Sequence, residues 1–140
     1  MVQPFTGFPP ETLGFLRDLG ENNSKAWFDA HRAEYEHAYL APALSFIAAM
    51  DAPLRRLKPT VHADPWLNRS LFRINRDVRF SRDKTPYKDH LDLFFWVSEG
   101  RSRERPGFFL RLRFDRLILG AGIHAFDARM LEAYRVGPRR

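Results

Sequence analysis

Leu91-Asp92-Leu93-Phe94-Phe95-Trp96-Val97 carries a single charge in seven residues, and Phe108-Phe109-Leu110-Arg111-Leu112-Arg113-Phe114 follows with an apolar residue at every second position. The first stretch reads as a central strand, the second as a strand with one apolar and one basic face. Asp115-Arg116 leads on to Leu117-Ile118-Leu119, so residues 107–123 read as a hairpin, with Gly120-Ala121-Gly122 allowing a bulge or a close backbone approach. Period 2 also runs upstream. Phe72, Ile74, Val78 and Phe80 alternate with Arg73, Asn75, Asp77 and Arg79, which predicts a half-buried strand over 72–80. Arg76 breaks that alternation, because it falls on the apolar side.

Before residue 69 the period is 3.6. Pro9-Pro10-Glu11 opens a helix with Leu13, Leu16 and Leu19 on one side and Phe15 beside them, ended by Gly20. Asn22-Asn23-Ser24 caps a second helix from Lys25 to Tyr39, with Trp27, Phe28, His31, Tyr35, Ala38 and Tyr39 as its stripe. Pro42 starts a third, which Asp51-Ala52-Pro53 interrupts before a short continuation to Leu57. Asp127 caps a last helix, Ala128 to Arg135. Helices followed by antiparallel strands define an α+β fold: N-terminal helices packed on one face of a mainly antiparallel sheet, closed by a final short helix. A single domain over residues 1–140 is expected.

Composition narrows the function classes. The 140 residues are 44% apolar and 29% charged, ordinary for a globular domain. No run approaches the ~20 apolar residues of a membrane helix, and the N-terminus has neither a basic nor an apolar leader region, so a cytoplasmic protein without membrane contact is expected. With no cysteine there is no disulfide, thiol nucleophile or cysteine-ligated metal. No Gly-rich phosphate loop, GxSxG elbow or HExxH occurs, and no cofactor is indicated. His31 sits on an aromatic stripe and reads as a packed, hydrogen-bonded histidine. His90 and Asp92 share a strand face whereas Asp89 and His90 point opposite ways, so no metal site is expected there.

Charge is distributed unevenly. Residues 1–68 hold six basic and eight acidic side chains, a net of −2; residues 69–140 hold seventeen and nine, a net of +8. The excess is mostly arginine, whose planar fork suits phosphate and carboxylate. It is densest in Arg73-Ile-Asn-Arg76-Asp77-Val-Arg79-Phe80-Ser-Arg82-Asp83-Lys84-Thr-Pro-Tyr87-Lys88-Asp89-His90. Arg76, aimed at the core, requires a partner there.

The pattern Arg73-x-x-Arg76-Asp77-x-Arg79-Phe80-x-x-Asp83-Lys84-x-x-Tyr87 resembles the signature of the domain of unknown function 2461 family, bacterial and fungal conserved hypothetical proteins. Asn22-Asn23-x-Lys25-x-Trp27-Phe28 with Tyr35, and Gly120-Ala121-Gly122 followed by a helix ending at Arg135, extend the likeness to residues 5–135. The resemblance implies no established activity. It also implies a longer domain, so the chain is expected to lack a C-terminal part of that fold, exposing a sheet edge or an apolar face that favours oligomers or poor solubility.

Three functional readings follow from the residues. In the first, Arg73, Arg76, Arg79, Lys84 and Tyr87 bind a phosphorylated small molecule or other anion, with Asp77 and Asp83 orienting the cations. In the second, nucleic acid binds the basic half through Arg101, Arg103, Arg105, Arg111 and Arg113, with Phe109 on the same parity. In the third, the motif is an ion-pair network serving architecture alone. A catalytic variant of the first makes Asp77 or Asp83 a general base.

Overall fold

The computed structural model describes residues 5–98 and 105–122. The expected last helix, Arg101 and Arg103 lie outside the described residues.

Helix α1 (Pro10–Glu21) starts on proline, whose fixed φ suits the first turn and whose missing N–H costs nothing there. Its buried face is Thr12, Phe15, Leu16 and Leu19. Leu13 is exposed instead, because Thr12 takes the inner position and satisfies its hydroxyl by donating to the Ala38 carbonyl. Ser24 caps α2 (Lys25–Ala30), its Oγ accepting from the Trp27 N–H at 3.2 Å. The helix expected to run to Tyr39 breaks at His31. A single turn, α3 (Arg32–Glu34), and a π-helical stretch, Tyr35–Leu40, follow and run directly into α4 (Ala41–Leu57). His31 stacks on Trp27 at 3.9 Å, and its Nδ1 lies 2.7 Å from the Trp27 carbonyl oxygen. The expected interruption at Asp51-Ala52-Pro53 does not occur: α4 continues through Pro53. Pro53 and Ala49, the partner of its missing N–H bond, are both exposed, so water can serve the orphaned carbonyl.

The sheet has the order β1 (Val61–His62), β2 (Leu91–Val97), β3 (Gly107–Leu112) and β4 (Leu117–Gly122), all antiparallel. The hairpin is as the alternation predicts, and Gly120-Ala121-Gly122 pairs in register with Phe109, Phe108 and Gly107, without a bulge. Leu91, Leu93 and Phe95 of β2, with Leu110 and Leu112 of β3, pack with the buried residues of α1, α2, the π-helical stretch and α4. Asp92, Phe94 and Trp96 alternate with them, and register sets Asp92 opposite Arg111 and Phe94 opposite Phe109. Below the helices, α4, the Phe5–Phe8 stretch and the hairpin bound an apolar cavity of 530 Å³, where Leu117 and Leu119 are exposed. None of the described helices is long and apolar enough to cross a membrane.

The strand expected over 72–80 is absent. Residues 70–72 lie along β2, with Phe72 N–H donating to the Asp92 carbonyl at 3.1 Å and Phe94 N–H to the Ser70 carbonyl at 2.8 Å. The chain then leaves the sheet as an irregular loop, bridged once between Asn75 and Tyr87. Its alternation is genuine, but the residues it would bring to a neighbouring strand are claimed by bonds inside the loop.

Candidate functional site

The loop over residues 73–88 is closed at its base by backbone. Arg76 N–H donates to the Pro86 carbonyl at 2.9 Å and Lys88 N–H to the Ile74 carbonyl at 2.8 Å. Asn23, just ahead of α2, then acts as an extra strand residue. Its Oδ1 accepts from Tyr87 N–H at 3.0 Å and its Nδ2 donates to the Tyr87 carbonyl at 2.7 Å. The Tyr87 ring is buried and stacked on Phe28 at 4.3 Å. Two sequence segments 64 residues apart are thereby one physical unit: the Asn-Asn-x-Lys-x-Trp-Phe segment seats the tyrosine that ends the Arg-Asp-Lys-Tyr segment.

Inside the loop the charged side chains divide into two groups. Arg76 is turned inward, its side chain 27% exposed. Its Nη1 donates to the Thr85 carbonyl at 2.8 Å, the Thr85 hydroxyl at 2.7 Å and the Asp83 carbonyl at 3.4 Å, and lies 3.4 Å from the Asp83 carboxylate. Asp83 in turn accepts from the Thr85 N–H and hydroxyl. This is the partner that an inward arginine requires, and it is mostly loop backbone rather than core carboxylate. Arg79 forks Asp77 at 2.9 and 2.8 Å, Lys84 Nζ donates to the Val78 carbonyl at 2.6 Å, and Lys88 Nζ donates to the Arg73 carbonyl at 2.8 Å. Arg73, Arg79, Arg82 and Lys84 are nonetheless exposed. The Arg73 charge reaches Asp77 and helps to lower it.

Both carboxylates of the loop are held below the ordinary aspartate range. The Arg79 fork and backbone N–H hold Asp77 down to about 2. The Thr85 N–H and hydroxyl, with the Arg76 charge, lower Asp83 as well. A general base works best with a pKa near the operating pH, so both are poor proton acceptors near neutrality. The geometry is suited to holding charge in place.

A second polar cluster sits where β2 begins. Asp92 is 4% exposed and is forked by Arg111 Nε and Nη2 at 2.7 and 2.9 Å. His90 lies between two carboxylates, Nδ1 at 3.1 Å from Asp89 and Nε2 at 3.4 Å from Asp92, while Arg113 approaches Asp89 at 3.5 Å. The opposed directions expected for Asp89 and His90 are therefore wrong. Both precede the strand, in a bend where alternation does not operate. Burial alone would raise Asp92; hydrogen bonds from His90 and Arg111, and their charges, outweigh it and hold the carboxyl at about 2. The Phe109-Arg111-Arg113 face is thus largely committed to carboxylates, and Arg111 also lies over the Phe109 ring at 5.5 Å. That leaves little of it to meet nucleic-acid phosphates. Arg105 is half-buried, with an Nε lacking a partner among the described residues. No group of three His, Asp or Glu side chains is arranged for a metal ion among the described residues. The cross-strand Asp92–Arg111 pair was visible in the sequence only as two charges on separate strands, since pairing register is not written in either.

The chain belongs to the DUF2461 family: the family's profile, described as a conserved hypothetical protein, matches residues 11–137. That span contains both the Asn23–Phe28 seat and the loop it holds. Searches among curated proteins and among solved structures return no significant match.

Proposed function

We propose that this protein is a binding module for phosphate-type anions and that the loop over residues 73–87 is its recognition element. In this reading Arg73, Arg79 and Lys84 meet the ligand. Arg76, Asp77, Asp83 and Tyr87 hold the loop so that those heads stay displayed. The observation that carries it is a net charge of +3 on a loop pinned by its own hydrogen bonds, with exposed cationic heads. Preorganisation lowers the ordering cost of binding. An exposed pair such as Arg79–Asp77 is worth ~0–1 kcal/mol, so an incoming phosphate displaces the carboxylate at little cost. Lys84 uses one of three ammonium donors within the loop.

The test is a thermal melt of the full chain against phosphate, sulfate, sugar phosphates and nucleotides, at low and high salt. A ligand at 100 times its Kd stabilises by ~2.7 kcal/mol, a visible shift for a domain of this size. The expected result is a selective shift in the wild type that is lost in an R79A/K84A variant with an unchanged ligand-free melt. Melts that no anion moves, or a shift equal in the variant, contradict the reading.

A further inference from the structure

Phe80 stands at the tip of the same loop with 94% of its surface in water, more than any other large apolar residue among those described. Burying a phenylalanine ring yields ~1.5–3 kcal/mol, so the fold gains nothing from this one. Yet its position is closely controlled. Ser81 N–H donates to the Val78 carbonyl across the tip, Lys84 Nζ ties to that same carbonyl, and Asp77 accepts from the Arg79 N–H. The Arg79 guanidinium lies 5.7 Å from the ring centroid. One aromatic face thus has a cation beside it while the ring as a whole stays accessible.

We infer that the anion this loop takes is a nucleobase-bearing phosphate, its base stacked on Phe80 and its phosphate met by Arg79 and Lys84. The inference rests on the anion-binding reading above and names the ligand class. The surroundings of the ring favour flat stacking over insertion. A partner groove needs apolar anchors repeated at helical or strand spacing, and a bilayer needs an apolar face. Here the ring's neighbours in the chain are Arg79, Ser81 and Arg82. A single ring amid cations suits a π-system that carries negative charge, the combination by which single strands are held without base-edge contacts. Mononucleotides and single-stranded oligonucleotides share that chemistry.

The experiment titrates the full chain with pyrophosphate, ribose 5-phosphate, adenosine monophosphate and a labelled single-stranded oligo-dA, using wild type, F80A, F80W and R79A/K84A. Base-bearing probes are expected to bind more tightly than the two probes without a base. F80A weakens the base-bearing probes ~5- to 150-fold, the equivalent of one lost stack, and leaves pyrophosphate within about twofold. F80W restores the affinity, and its added indole emission changes on binding. R79A/K84A loses every probe. Tight binding of adenosine monophosphate assigns a mononucleotide; binding of the oligonucleotide alone assigns a single strand. If F80A binds base-bearing probes like wild type, or the base adds no affinity, stacking is overturned while anion binding stands. If no probe binds, both fall. Phe80-dependent binding to anionic vesicles or acidic peptides, with none to nucleotides, also overturns the inference.

Discussion

Replacing Asp92 with asparagine tests how the sheet tolerates a buried charge. The carboxylate is 4% exposed and held at about 2, against 3.8 for an ordinary aspartate. That difference corresponds to roughly 2–3 kcal/mol of native-state stability. Because the folded-state value is depressed, this contribution is fully present above the unfolded value and is lost as pH falls from about 4 through 2. Asparagine also leaves Arg111 without its counter-charge. Arg111 is one-third exposed, so water relieves part of that cost, and D92N is expected to lose about 2–4 kcal/mol at pH 7. Urea unfolding of both proteins at pH 7, 5, 4 and 3 reads the gap. It should narrow below pH 4, where the unfolded chain takes up the proton while native Asp92, held at about 2, still keeps its charge. A D92L/R111M variant, which removes both charges, should lose less than D92N. A gap under ~1 kcal/mol at pH 7, or one of equal size at pH 7 and pH 3, would refute the reasoning.

Gly107→Ala should be among the most damaging single methyl additions. The new Cβ would collide with the Phe95 carbonyl oxygen and lie 2.8 Å from Phe94 Cζ and 2.9 Å from Trp96 Cα, and the two backbone atoms cannot rotate away. A loss of ~3 kcal/mol is expected by chemical denaturation, and one under ~1 kcal/mol contradicts the close approach. Tyr39→Phe should be neutral or stabilising by up to ~1 kcal/mol, since the hydroxyl is buried without a hydrogen-bond partner among the described residues. A clear loss in the melt would mean that the hydroxyl has a partner. Arg76→Ala should cost ~2–3 kcal/mol, and Arg76→Lys should recover less than half, because a lysine stem ends one atom short of the Nη1 position from which the bonds to Thr85 and Asp83 all run. Native-state hydrogen exchange should show the Arg76 and Lys88 amides losing protection in Arg76→Ala, while β2 and β3 amides exchange in step with global stability.

Much of the fold was legible because burial enforces periodicity. Phe15, Leu16 and Leu19 on α1, Leu91 to Val97 in β2 and the 107–122 hairpin announce themselves by the partners they require. The misreadings fall where something other than apolar periodicity decides the backbone. Thr12 displaced Leu13 from the buried face through one hydrogen bond to a helix carbonyl. Alternation over 72–80 failed because Asp77, Asp83, Thr85 and Lys84 offer bonds within the loop that compete with a sheet ladder. The His90 cluster was half visible: the spacing of His90 and Asp92 was readable, but the arrival of Arg111 depends on register across a loop.

The same limit governs the site. Arg76 and Arg79 stand three positions apart, so alternation already sets them on opposite faces, but nothing in their spacing says that the inward head goes to Thr85 or that the outward one lies over Phe80. The division follows from what each head can reach. Arg76 sits beside the Asn75–Tyr87 bridge, where carbonyls of the returning chain lie within range. Arg79 sits at the turn, exposed, where its neighbours are Asp77 and the Phe80 ring. A loop that only held itself together would have no use for the second arrangement, since an exposed pair contributes little stability and an exposed ring none. The inward half explains why the loop keeps its shape, and the outward half is what that shape displays.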